Sequence, residues 1–349
     1  MHDPNTLLLD TLRQGSGNRL LVADENCRDF PFDQLPDAVQ VFTNRVDIAR
    51  LAERAGTATH FSDFDFSHCA ARSVACLAYR LSKEKAVVHH IANQARSLLA
   101  AGGTLVLVGG KQEGIKTFAK TLGKALGSAA ILEKHGTVYR AVITRGNADA
   151  GPLDDHDYSR LRTIFSVDGK PVCSKPGLFG WDRVDQGSAL LADHLADFFA
   201  TLPTAPQRLL DLGCGYGYLA LAASRLGHFH ITATDNCAAA IRACQHNFER
   251  HGITGTVVAD DSGETLPPGY DVILCNPPFH QGFQADRRLT ETFVANCHRL
   301  LDRRGRALFV VNVFVPLESL ADTHFAQGKV VLNNGRFKLI ELSSPRVLR

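Results

Sequence analysis

From Arg208 to Phe314 the chain alternates apolar runs of strand length with amphipathic runs of helix length, and no other feature of the sequence restricts the fold as much. The runs RLLDLG, HITATD, GTVVAD, YDVILCN and RALFVVNVF read as strands. Helices are expected from about Gly217 to Leu226, through CAAAIRACQHNFERHG and through LTETFVANCHRLL. A strand followed by a helix and then another strand makes parallel pairs, with helices covering both faces of the sheet, so the prediction is a doubly wound α/β domain. Only Gly335 and Arg336 separate the last two runs, KVVLNN and FKLIEL, which predicts a hairpin on the sheet edge. Ahead of the alternation, FSVDGKPVCSKPGLF reads as a hairpin turning at Asp168 and Gly169. A helix over Ser188–Thr201 follows, with Leu190, Leu191, Leu195 and Phe198 at helical spacing and Ser188 as its candidate N-cap.

The first half repeats this order. RLLVADENC resembles RLLDLGCGY, VFTNRVDIARLAERAG resembles TATDNCAAAIRACQHNFERHG, and the segment 73–110 resembles 270–311. The differences are informative: Ala23, Asp24 and Glu25 stand where the second half has glycines, and YRLS stands where it has NPPF. The sequence therefore predicts two tandem doubly wound domains, of which the first kept the fold and lost the chemistry. A cluster of Gly, Pro, Asn and Asp over Thr144–Arg160 marks the linker, giving domains 1–150 and 160–349. A chain of 349 residues is long enough for two cores.

Formal charge is only +2, but it is unevenly spread. Residues 1–65 hold six Arg and eleven Asp or Glu, whereas residues 66–145 hold twelve Lys or Arg against three Glu, a local excess of +9. Lys83, Lys85, Lys111, Lys116, Lys120 and Lys124 are candidate contacts to an RNA backbone, if they share a face; an ordinary solvated surface is the alternative. Nine cysteines without a CxxC pair, mostly inside apolar runs, read as reduced core residues of a cytoplasmic protein. The N-terminus lacks a secretory pattern and no apolar run approaches membrane-spanning length. The fifteen histidines show no metal-ligand spacing and there is no G-x-S-x-G, so neither a metal site nor a serine nucleophile is expected.

Three strand ends carry the candidate chemistry. DLGCGYG, Asp211 to Gly217, places Gly213, Gly215 and Gly217 at a strand-to-helix turn, where small residues admit a ligand against exposed helix amides. The dinucleotide pattern G-x-G-x-x-G is not met. Asp235 ends the next strand, where a carboxylate can accept both ribose hydroxyls of a bound nucleoside; capping the helix that follows is the plainer alternative, and the two roles are compatible. Asp260 and Asp261 end the third, within reach of an adenine edge or in a solvated turn. Open α/β sheets bind ligands at the carboxyl ends of their strands. The fourth strand stops on Asn276, Pro277, Pro278 and Phe279, residues that cannot continue it.

DLGCGYG together with Asp235 and NPPF resembles the S-adenosylmethionine-dependent methyltransferases that act on exocyclic or amide nitrogens. The resemblance implies that Asn276 to Phe279 form the transfer site. The lone pair of a base amino group is delocalised into the ring. Accepting its two hydrogens on the Asn276 side-chain oxygen and the Pro277 carbonyl favours a pyramidal nitrogen aimed at the methyl group, while Phe279 offers a stacking face. Through FSVDGKPV, PGLFGWDRVDQGS, DLGCGYG, NPPFHQG and GRFKL, the chain is similar to the ribosomal RNA guanine-N2 methyltransferases, and specifically to the small-subunit methyltransferase C family. That resemblance covers most of residues 160–349 and implies methylation of a 16S rRNA guanine in the small ribosomal subunit, with RNA binding by the first domain. Separately, a monomer is the expected state. Gly180 and Trp181 depart from the family's usual wording. Asp185, Gln186, Gly187 and Ser188 carry over as a strip near the methionine end of the cofactor, with a hairpin-to-helix connection as the plainer alternative. The related large-subunit enzymes, a protein-glutamine methyltransferase, and an RNA-binding assembly factor with a vestigial site remain as competing readings.

Overall fold

The computed structural model describes residues 3–147, 151–278 and 283–347, and of residues 283–287 the backbone alone. Contacts divide the chain into two units, Met1–Arg160 and Leu161–Arg349.

The first unit runs α1 (Pro4–Gln14), β1 (Arg19–Ala23), β2 (Val39–Thr43), α2 (Val46–Arg54), β3 (Ala58–Phe61), β4 (Val74–Arg80), α3 (Lys85–Leu98), β5 (Leu99–Gly110), α4 (Ile115–Leu126), β6 (Ile131–His135) and β7 (Val138–Thr144). Its sheet has the order β3-β2-β1-β4-β5-β7-β6, parallel except where β7 joins β5 and β6. The near-continuous apolar runs of β1 and β4 are buried on both faces, one against α3 and α4 and the other against α1 and α2. Residues expected in a linker are strapped to this unit: Tyr158 is buried, donates to Asp63 at 2.8 Å and stacks on His90, while Asn93 exchanges hydrogen bonds with the backbone of Leu153. The first unit therefore extends to Arg160.

The second unit opens with a hairpin, β8 (Arg162–Val167) and β9 (Lys170–Ser174), then α5 (Gln186–Asp193) and α6 (Leu195–Ala200). It continues as β10 (Arg208–Leu212), α7 (Tyr218–Ser224), β11 (His230–Asp235), α8 (Ala238–His251), β12 (Gly255–Ala259), β13 (Tyr270–Cys275), α9 (Phe283–Leu300), β14 (Leu301–Asn312), α10 (Leu317–Ala321), β15 (Phe325–Asn333) and β16 (Phe337–Pro345). Its sheet order is β12-β11-β10-β13-β14-β16-β15, the same permutation as in the first unit. The Asp168-Gly169 turn has both residues at positive φ, +50° and +74°, as a two-residue hairpin turn of type I′ requires. Two details differ from the sequence reading. The helix expected over Ser188–Thr201 begins at Gln186 and breaks at His194, and its cap is Asp185, whose carboxylate accepts the Ser188 amide.

Ladder register makes the duplication residue-specific. Arg19 pairs with Val39 and Cys76, and Leu209 pairs with Ile231 and Val272. The helices that follow β2 and β11 start in the same way, the Arg45 amide donating to Thr43 Oγ1 and the Cys237 amide to Asp235 Oδ1. Gly103 and Gly305 each lie where a Cβ would meet the carbonyl of Val74 or Tyr270 at 2.8 Å. On this register Ala23, Glu25, Thr43 and Arg80 occupy the places of Gly213, Gly215, Asp235 and Asn276. The sequence reading set Tyr79 opposite Asn276; the structure moves the match by one residue, to Arg80.

Candidate active site

In the second unit the backbone leaves β10 through three glycines at positive φ, and Gly217 opens α7. The tightest position is Gly217, at φ +88°, where a Cβ would lie 2.8 Å from Cys244 Sγ. At Gly215 a Cβ would meet nothing within 4 Å, so one side of the loop faces open space. The loop is pinned from below: the amides of Gly213 and Cys214 both donate to the Thr234 carbonyl, and the Gly215 amide donates to Asp235 Oδ2 at 3.0 Å. Asp235 thus ties the glycine loop to the start of α8 and stays half-buried at the strand end.

Asp211 lies fully buried beneath this loop. Its Oδ2 accepts the Ala220 amide at 2.9 Å, while its Oδ1 is buried without a hydrogen-bond partner among the described residues. Burial, with a smaller contribution from the Asp235 charge, raises its pKa to about 7. Asp260 and Asp261 follow β12 and are placed differently from one another. Asp260 is fully buried and its carboxylate accepts the Thr265 amide at 2.8 Å; Asp261 is half-buried and accepts the Ser262 hydroxyl.

Asn276 stands one residue beyond β13, half-buried, followed by buried Pro277 and exposed Pro278. Its Nδ2 donates to Asp185 Oδ2 and to Ser188 Oγ, both at 2.8 Å. The site residues of the two separate motifs therefore meet: Asp185, Ser188 and Asn276 form one cluster at the carboxyl edge of the sheet. Gly187 admits the approach, since a Cβ there would meet Asp185 Oδ2 at 3.1 Å and Val310 and Phe337 at 3.5 Å. Gln186 begins α5 and is exposed. Phe279 lies outside the described residues.

Two structural supports escaped the sequence reading. Asn247, buried in α8, accepts the Cys173 amide and donates to the carbonyls of Cys173 and Tyr216, joining the β8-β9 hairpin to the glycine loop. Arg299 of α9 donates to the carbonyls of Gly263, Glu264 and Leu266, fixing the turn after β12. Neither lies in a recognisable motif; an Asn or Arg in a helix reads as surface until its partners are known. Phe314, 82% exposed in the loop after β14, is a further aromatic at this edge of the sheet. The nine cysteines are free thiols and all but Cys69 are buried. Contact with the Cys244 thiol and burial push Cys214 well up, which keeps it inert.

A family model described as the methyltransferase small domain matches residues 169–341, and a second, its N-terminal domain, matches residues 7–148. Ribosomal RNA small subunit methyltransferase C of Escherichia coli is 30% identical over 244 residues, covering 70% of this chain and 68% of the relative. The protein of that name in Hahella chejuensis is 32% identical over 238 residues, covering 67% of each.

The chain belongs to the ribosomal RNA small subunit methyltransferase C family.

Its fold matches, with a TM-score of 0.82 at 23% identity, a solved family member described as the T. Thermophilus 16S rRNA N2 G1207 methyltransferase in complex with AdoMet and guanosine; the match covers 98% of this chain and 92% of that one. As in that family, two Rossmann-like units stand in tandem. In the first unit of this methyltransferase C relative, ion pairs stand at two of the matched positions. Glu25, at the Gly215 position, pairs with Arg45 at 2.9 Å; Arg80, at the Asn276 position, makes a two-point contact with Glu113 at 2.6 and 2.8 Å. Burial opposes the charge of Glu113, but Arg80, the Gly110 amide and Lys83 hold its pKa below the ordinary value. At these matched positions the first unit thus lacks the glycines, the Asp235 carboxylate and the Asn276 amide of the second.

The six candidate RNA-binding lysines are all exposed. Lys116, Lys120 and Lys124 repeat every fourth residue and share one face of α4, with Lys116 over the Tyr139 ring. Lys83 and Lys111 follow the carboxyl ends of the adjacent strands β4 and β5, and Lys85 opens α3. No helix among the described residues is long and apolar enough to cross a membrane.

Proposed function

We propose that this protein methylates the exocyclic N2 of a guanine in 16S rRNA within the small ribosomal subunit, acting as a cytoplasmic monomer. The observation that carries the reading is the Asn276 amide, anchored through its nitrogen at the end of β13 beside the glycine loop in a chain of this family. The residues fit S-adenosylmethionine: an open-sided glycine loop, the half-buried carboxylate of Asp235 at the next strand end, and a buried Asp211 oxygen without a partner beneath. The Gly213, Gly215 and Gly217 loop would take the methionine portion and Asp235 the ribose hydroxyls, with Asp260 and Asp261 at the base side. Bound there, the cofactor supplies an electrophilic methyl group.

The chain's own residues do the rest. Both Asn276 Nδ2 hydrogens are engaged by Asp185 and Ser188, so the side-chain oxygen is the atom left to accept a hydrogen from the guanine amino group. The Pro277 carbonyl accepts the other, held by two rigid rings that bring no N–H to compete. Accepting both hydrogens localises the nitrogen lone pair, and no base is needed before attack because the proton leaves afterwards. In this reading the stacking face for the base falls to Phe279, which lies outside the described residues. Asn276→Ala tests the assignment: S-adenosylmethionine binding by calorimetry stays near wild type while turnover falls roughly 100-fold or more, the scale of losing one transition-state hydrogen-bonding group. Full turnover in that variant contradicts it. The exposed lysines of the first unit, Lys83, Lys85, Lys111, Lys116, Lys120 and Lys124, contact the RNA backbone in this reading.

A further inference from the structure

An amide side chain has no intrinsic preference between its two orientations, because a half-turn about its terminal bond exchanges oxygen for nitrogen. Acceptance of a substrate hydrogen by Asn276 needs one of them. Ser188 cannot choose, since a hydroxyl serves as donor or acceptor. Asp185 can. The Asp185 Oδ2 already accepts the Ser188 amide and offers an acceptor to Asn276, so the flipped amide would set its Oδ1 against Asp185 Oδ2 at the 2.8 Å now spanned by a hydrogen bond, oxygen against oxygen. Nor is Asp185 free to turn away. The same Oδ2 accepts the Ser188 amide at 2.9 Å as the cap of α5, and Gly187 lies close against it.

From these contacts we infer that Asp185 and Ser188 are positioning residues for methyl transfer: they hold the Asn276 amide with its oxygen toward the substrate amino group, a task distinct from binding the cofactor. The inference rests on the reading of Asn276 as the hydrogen acceptor. It explains why the connection between hairpin and sheet carries Asp-x-x-Ser, a pattern that by itself would only start a helix. Here one carboxylate oxygen does both, so the start of α5 and the orientation of the acceptor are set by the same atom.

The test uses the full-length protein, separated small subunits and labelled S-adenosylmethionine. Asp185→Ser keeps a good helix cap but is too short to reach Asn276, and Asp185→Asn keeps an oxygen acceptor at full length. Loss of a charge-assisted hydrogen bond predicts that Asp185→Ser lowers kcat roughly 10- to 100-fold, with cofactor Kd within about twofold of wild type. Asp185→Asn and Ser188→Ala lose less. In an Asn276→Ala background, adding Asp185→Ser causes no further loss. Weakened cofactor binding with kcat retained overturns the inference, as does a loss from Asp185→Ser that is undiminished in the Asn276→Ala background. The latter result, with Asn276→Ala itself at a reduced but measurable turnover, overturns this inference alone; full turnover of Asn276→Ala overturns the acceptor reading and this inference with it.

Discussion

Replacing Asp211 with Asn should alter how the stability of the second unit depends on pH. The wild-type carboxyl is fully buried, takes one hydrogen bond from the Ala220 amide and has its other oxygen unpartnered. Burial raises its pKa from 3.8 to about 7. Between those values the folded protein keeps a proton that the unfolded chain has released. Wild-type stability is therefore complete below the unfolded value, falls as pH rises through this window, and levels off above about 7. A shift of this size corresponds to a loss on the order of 4 kcal/mol, as an upper bound. Asn at 211 removes that fall. It can still accept the Ala220 amide, but its NH2 would be buried without an acceptor, at a cost of about 1–3 kcal/mol. The variant should be less stable than wild type near pH 4.5 and equal or more stable near pH 8. Urea unfolding followed by fluorescence of Trp181, the chain's single tryptophan, reads the second unit without interference from Asp24 in the first, whose pKa burial and Glu25 also raise to about 7. Parallel pH profiles for the variant and wild type would refute the reasoning.

Other predictions follow from the same geometry. Gly217→Ala pays roughly 1–2 kcal/mol for a left-handed backbone and also drives a Cβ into Cys244, so both melting temperature and S-adenosylmethionine affinity should fall. Gly252→Ala, at φ +67° with open space around it, should cost stability alone. Glu113→Ala strands the largely buried Arg80 guanidinium and the Gly110 amide; at or below about 3 kcal/mol, the loss should appear in denaturation of the first unit with cofactor Kd unchanged. Lys83→Glu combined with Lys85→Glu should weaken small-subunit binding and flatten its salt dependence without touching cofactor affinity; unchanged binding at moderate salt removes the lysines from the interface.

The tandem α/β plan was legible because parallel strands buried on both faces write apolar runs that no other architecture needs, and because the glycine loop and NPPF punctuate strand ends. Register was less legible. RLLVA and RLLDL align by eye at the arginine, yet the ladders align Arg19 with Leu209, since an apolar run looks the same after a shift of one. The linker was misjudged for a related reason: Gly, Pro and Asp mark irregular backbone, but not whether a buried Tyr158 ties that backbone down. At the site, Asp185 and Ser188 stand out in the sequence only through the family resemblance, as a strip expected near the cofactor. Their contact with Asn276 could not, because those residues are about ninety positions apart and meet only through the packing of α5 on β14.

The central claim is tested most directly by methyl transfer from labelled S-adenosylmethionine to small subunits, large subunits and protein-free rRNA, each taken from cells lacking this gene, followed by nucleoside analysis. The account predicts N2-methylguanosine in 16S rRNA of the small subunit and no label in the large subunit. Label confined to 23S rRNA, or no transfer to any of the three, would contradict it.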